Sequence, residues 1–114
     1  MNEIKKVIVS RFAEDDLNEI IEYYDSLSHS YVEKNVKLFE SNVLSLKEFP
    51  MRGRVVPELM EHGITRFREL IQGYYRIIYE IDRETIVIHT IIDGRRNFEE
   101  IIFSKLVRYS GNRG

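Results

Sequence analysis

The chain has no cysteine among its 114 residues. That absence excludes a disulfide framework, a thiol nucleophile and thiolate metal sites. It also fits a reducing compartment, and a cytoplasmic location is expected. No apolar run approaches the roughly 20 residues that a membrane-spanning helix needs. The N-terminal MNEIKKVIVS sets basic residues before a short apolar run, Val7 to Val9. That run is too short for a signal-peptide core. The three histidines, His29, His62 and His89, have no pair at ligand spacing, so no metal or other cofactor is expected. Repeats, linkers and low-complexity stretches are missing too. The length is that of one compact domain, large enough to bury a core without metal or disulfide support.

Lysine is the next absence. Eleven of the seventeen basic residues are arginines, and from Met51 to Arg96 all eight are: Arg52, Arg54, Arg66, Arg68, Arg76, Arg83, Arg95 and Arg96. Guanidinium is planar, stays protonated and offers a fork of donors that matches phosphate or carboxylate. Exposed strand charges and salt-bridge partners are the competing reading for any single arginine. Net charge −2 argues against coating nucleic acid by bulk electrostatics. The signs are unevenly placed: residues 51–96 carry eight arginines and seven acids, +1, and the remainder nine bases and twelve acids, −3. An anionic ligand would therefore meet a local patch.

The pattern of apolar residues predicts an α+β domain in the order β-α-α-β-β-β-α. Ile4 to Ser10 reads as a short strand. Ala13, Leu17, Ile20, Ile21 and Tyr24 form one helical stripe, with Glu14, Asp15 and Asp16 in the first turn, where the helix dipole favours negative charge. After a break at Asp25 to His29, Ser30 with Glu33 reads as a capping box opening a second helix through Val32, Val36, Phe39, Val43 and Leu46, closed by Pro50. So short a link predicts a helical hairpin. Met51 to Gly63 reads as a loop. Strands are expected at Arg66 to Ile71, Tyr74 to Ile81 and Thr85 to Ile92, paired antiparallel through short turns. In the middle one, Tyr75, Ile77, Tyr79 and Ile81 share one face, and Tyr74, Arg76, Ile78 and Glu80 the other. A terminal helix follows Asn97, with Phe98, Ile101, Ile102 and Leu106 inward. The domain is expected over residues 1–109, with a frayed tail at 110–114. Burial is simplest if the hairpin lies on one face of a twisted, mainly antiparallel four-stranded sheet, which leaves the other face and the Met51–Gly63 loop free for a site.

Those residues, in that order, resemble the RelE/ParE superfamily of type II toxin–antitoxin toxins. The likeness spans nearly the whole chain: SRFAEDDLNEII, then FP…GR…PEL, and most sharply FRELIQGYYRIIYEI followed by TIIDGRR. It implies a small growth inhibitor held in check by a cognate antitoxin, as a hetero-oligomer or a homodimer. Some members resemble RelE and cut messenger RNA on the ribosome. Others resemble ParE and poison DNA gyrase by contact.

Metal-free RNA cleavage by 2′-hydroxyl attack needs a base, cations for the developing charge and an acid for the leaving oxygen. Glu58 matches the glutamate that serves as base in some family nucleases. Arg76 matches the family's strand arginine at the scissile phosphate, and a mid-strand charge there is costly unless paired or placed at a site. Pairing with Glu69 or Glu80 is its structural alternative. Arg68 and Arg66, on a neighbouring strand, would extend the patch toward Arg76, and Arg54 adds a loop cation. Where family nucleases often carry a histidine or tyrosine acid, this chain has Arg95 and Arg96, which suit anion or target binding but are poor proton donors. His89 reads as a satisfied strand histidine and His62 as a weak acid candidate. The tyrosines read as packing. Contact inhibition of gyrase is thus slightly favoured over ribosome-dependent cleavage, with a non-toxic degenerate member as a third possibility.

Overall fold

The computed structural model describes residues 3–111, with side chains through Leu106. Its elements are β1 (Lys6–Val9), α1 (Arg11–Asp25), α2 (His29–Glu48), β2 (Arg54–Val55), α3 (Pro57–Met60), β3 (Phe67–Gln72), β4 (Tyr75–Asp82), β5 (Thr85–Asp93) and α4 (Phe98–Gly111). The fold is α+β, as expected. The sheet has five strands rather than four, in the order β1-β5-β4-β3-β2. The extra strand is two residues long, inside the Met51–Gly63 segment read as loop, and so short a run leaves no period to detect. The same segment holds the single turn of α3, with Pro57 at its start, where a missing N–H costs nothing. β1 pairs with β5 in parallel, and all other neighbours are antiparallel.

Ser10 caps α1 with its hydroxyl, which accepts from Ala13 N and donates to the His89 carbonyl, tying the helix start to β5. The cap of α2 lies two residues before the expected one: Ser28, not Ser30, accepts from Tyr31 N. Helix α4 includes Ser110 and Gly111 of the expected tail, while residues 112–114 lie outside the described residues.

The two faces of β4 follow the predicted alternation. Tyr75, Ile77, Tyr79 and Ile81 meet the α1–α2 hairpin, in a core with Ala13, Phe39, Val43, Leu46, Ile86 and Ile88. Ile78 points the other way, into a second core with Val56, Leu59, Phe67, Ile92, Phe98, Ile102 and Leu106. The face expected to be free is therefore covered by α3 and α4. The physical reason is that Phe67, Ile78 and Ile92 make it apolar, and the inward stripe of α4 needs a surface to bury against. A bulge breaks the β4–β5 register: Ile78 lies opposite Thr90 and Tyr79 opposite Ile88, so His89 is the extra residue. Beyond it the alternation of β5 slips by one, and Ile91 joins the hairpin core in place of Thr90.

Candidate functional site

Arg76 is the second residue of β4, on the face covered by α4, and four groups surround it. Its Nε donates to Glu69 Oε1 at 2.6 Å. Its two terminal nitrogens meet both oxygens of Glu58 end-on, at 2.7 and 2.9 Å. Its guanidinium carbon stands 3.4 Å from the Phe98 ring centroid, over the negative face of the ring. A Cβ on Gly94 would come within 3.0 Å of the Arg76 stem, so the glycine of Asp93-Gly94 leaves room for that stem. Glu69, whose side chain is 0% exposed, also accepts from Arg54 Nε at 2.7 Å. Of the two partners the sequence offered Arg76, it takes Glu69 and not Glu80. Two arginines and two carboxylates thus form one continuous, charge-balanced lattice.

That balance governs the protonation of each member. Burial alone would favour loss of the Arg76 charge, but the hydrogen bonds it donates to Glu58 and Glu69 outweigh it and hold its pKa above the ordinary arginine value. The hydrogen bond from Arg76 holds the Glu58 carboxyl below the ordinary carboxylate value, against a smaller opposing effect of burial. Glu58 is therefore a carboxylate with both oxygens engaged.

The segment carrying Arg54 and Glu58 is positioned from the other side of the sheet. Gly53 packs so close that a Cβ would lie 2.5 Å from the Glu69 carbonyl oxygen and 2.7 Å from the Tyr79 ring. The buried Tyr79 hydroxyl accepts from Gly53 N at 2.9 Å and donates to the Pro50 carbonyl at 2.8 Å. Arg68 donates to the Gly53 carbonyl at 2.6 Å. In register Arg68 stands opposite Tyr79, on the hairpin face, whereas Arg76 faces α4. Arg68 therefore does not extend the Arg76 patch as expected: the alternation that links β3 to β4 puts the two on opposite faces. It braces the loop instead.

The other candidates are spread out. Arg66 precedes β3, stacks on Phe67 and lies 3.8 Å from Glu80. Arg95 sits at the end of β5, donating to Asp93 at 2.9 and 3.1 Å with its guanidinium 4.0 Å from the Tyr74 ring centroid. Arg96 is exposed beside it. The Asp93 hydrogen bond raises the Arg95 pKa further above its ordinary range. His89 is buried, with Nε2 2.8 Å from Glu80 Oε1, and His62 lies at the surface, 3.3 Å from Glu99. Of the tyrosines, Tyr79 is core as expected, but Tyr23 and Tyr74 are exposed. Among the described residues no cluster of three His, Asp or Glu side chains is placed to hold a metal ion.

Sequence reasoning missed the sharing of Glu69 between two arginines and the roles of Phe98 and Gly94. The signal for Glu69 was an acid inside an apolar strand, FRELIQ. It missed Asp16 as well. Asp16 leaves α1 to accept from Thr90 Oγ1 at 2.6 Å and Ile91 N at 3.0 Å, and from Lys105 of α4 at 2.7 Å.

Comparison with known proteins agrees with this architecture. No protein of curated function matches the sequence significantly. Among solved structures, one described as the chromosomal ParDE TA system from P. aeruginosa superposes with a TM-score of 0.57 at 19% identity. The match covers 81% of this chain and 98% of that one, and shows a shared fold. A family model described as the ParE toxin of the type II toxin–antitoxin system, parDE, matches residues 7–98, from β1 through the first residue of α4. That span holds Glu58, Glu69, Arg76 and every other member of the lattice, and the chain belongs to the ParE toxin family of type II toxin–antitoxin systems.

Proposed function

We propose that this toxin inhibits growth by binding its target, a DNA gyrase-type enzyme of replication, and not by cutting RNA. The observation that carries the reading is the closed Glu58–Arg76 pair. A general base needs a free lone pair and a pKa near the working pH. Glu58 has a lone pair on each oxygen taken by Arg76, and the same bonds hold its pKa lower, away from the working pH. Arg76, in turn, has Nε and both terminal nitrogens engaged by carboxylates, so a scissile phosphate would meet it end-on only after displacing Glu58. At the end of β5, where an acid would be needed, Arg95 is bound to Asp93 and holds its proton more tightly than an ordinary arginine.

Binding by contact fits what is exposed near that end. Arg95, Arg96 and Tyr74 lie at the surface, and aromatic and arginine side chains are the residues that most often anchor protein interfaces. Membership of the family implies a cognate antitoxin as partner. The proposed place of action is the cytoplasm.

Inducible expression of the toxin alone, reading messenger 5′ ends against plasmid supercoiling, tests the proposal. Intact transcripts, lost supercoiling and a DNA damage response are expected. Cleaved transcripts with prompt translation arrest would establish the ribosome-dependent nuclease instead. Normal growth would remove both in favour of a degenerate member.

A further inference from the structure

Glu69 orients two guanidinium groups at once. It lies in β3, and Arg54 and Arg76 reach it from the strands on either side, each by Nε, at 2.7 and 2.6 Å. A guanidinium held through Nε has its plane fixed and its terminal nitrogens left over for a second ligand. On Arg76 that edge is filled by Glu58. On Arg54 it makes no hydrogen bond among the described residues, and the side chain is 61% exposed. Arg54 lies near enough to help keep Glu58 ionised.

Glu58 itself is held differently from its surroundings. Its neighbours Val56 and Leu59 are fully buried and anchor the single turn of α3. The Glu58 side chain keeps 29% of its surface in water, against 0% for Glu69. Rotation about its own side-chain bonds would suffice to withdraw it from Arg76, with α3 left in place. Without it, Arg54, Arg76 and Glu69 sum to +1, which one monoanion neutralises.

We infer that the outer edge of Arg76, flanked by Arg54, is a carboxylate-receiving site for a partner protein, and that Glu58 is the resident ligand which an incoming acidic side chain displaces. The inference rests on the contact reading of function, and gives the partner's chemistry. The resident group favours a carboxylate: the site already holds a planar two-oxygen ligand end-on with both hydrogen bonds at charge-assisted length.

The test uses the purified full-length chain, 15N-labelled, with Glu58→Ala. Sodium acetate is titrated against sodium chloride at constant ionic strength while the Arg76 Nε–H signal is followed. Saturable movement of that signal is expected in the variant at concentrations at least tenfold below those that move it in the wild type. Acetate should also raise the melting temperature of the variant and not that of the wild type. Should Glu58→Ala fail to fold, Glu58→Gln keeps the side-chain volume and one acceptor oxygen, and the same acetate-dependent movement is required of it. A folded variant whose Arg76 signal ignores acetate would overturn the inference, leaving Glu58 a structural brace. Movement with inorganic phosphate and none with acetate would overturn it too, by assigning the edge to nucleic acid. Because gyrase takes no part in the titration, its failure leaves the contact reading standing, and a negative gyrase assay leaves the site standing.

Discussion

Glu58 and Arg76 look, in the sequence, like two members of a catalytic set, and in three dimensions each is the other's ligand. That pairing has a pH signature. The Glu58 pKa is below its ordinary 4.5 because Arg76 donates to the charged form. A carboxyl with a depressed folded-state pKa contributes stability that is complete above the unfolded value and lost as pH falls through the folded one. Acid unfolding should therefore steepen below about pH 4.5, and Glu58→Gln should flatten that part of the curve while lowering stability at pH 7. Equal acid sensitivity of variant and wild type, by circular dichroism across the range, would count against the pair. Gly53 makes a second residue-scale prediction. Its missing Cβ is the space taken by the Glu69 carbonyl and the Tyr79 ring, one of them backbone and the other buried. Gly53→Ala should cost about 1–3 kcal/mol by overpacking, measurable by urea denaturation. It should also loosen the Arg54–Glu69 bond, since Arg54 is the next residue. An alanine variant as stable as the wild type would mean the loop moves freely. The GR and PEL fragments named the right residues, but nothing linear in them said that a glycine and an arginine lean on Glu69 from 16 and 15 positions away.

Elements were legible where their period was long enough to see. The hairpin helices, four of the strands and α4 carry apolar runs or stripes over several turns or residues, and they lie close to where those put them. β2 and α3 span two and four residues, below the length at which a period has meaning, and both are fixed by tertiary contacts: Val56 and Leu59 buried under α4, Arg54 on Glu69. The bulge at His89 was equally hidden, because an extra residue in β5 is defined only against β4. Asp16 works at this scale as well. One carboxylate ties α1 to β5 and to α4 through three hydrogen bonds of 2.6, 3.0 and 2.7 Å. Asp16→Ala should cost about 2–3 kcal/mol, more than an exposed helix acid would, because a charged acceptor is lost from a partly buried network. The same denaturation experiment on Glu19→Ala, an exposed α1 neighbour, supplies the reference and should read near zero. A comparable small change for both would place the tie outside the energetics of the fold.

At the scale of the molecule, the sheet is covered on both sides, by the helical hairpin on one and by α3 and α4 on the other. The sequence pointed a site to the face away from the hairpin and to the Met51–Gly63 segment, and the arginine lattice lies there, but under a helix and not on a bare sheet. The arginine-only stretch divides accordingly. Arg76 and Arg54 are gathered on Glu69, Arg68 and Arg52 brace the loop from the hairpin side, and Arg95 with Arg96 stands exposed at the end of β5. The lattice is charge-balanced as it stands, with Glu58 filling the outer edge of Arg76, while Arg54 within it and Arg95 and Arg96 beyond it are exposed at the surface. Purified protein added to purified DNA gyrase on relaxed plasmid measures the central claim most directly. The account predicts that supercoiling falls as toxin approaches the gyrase concentration, and that programmed ribosomes treated in parallel keep their messenger whole. Undiminished supercoiling, together with messenger cut on the ribosome, would contradict it.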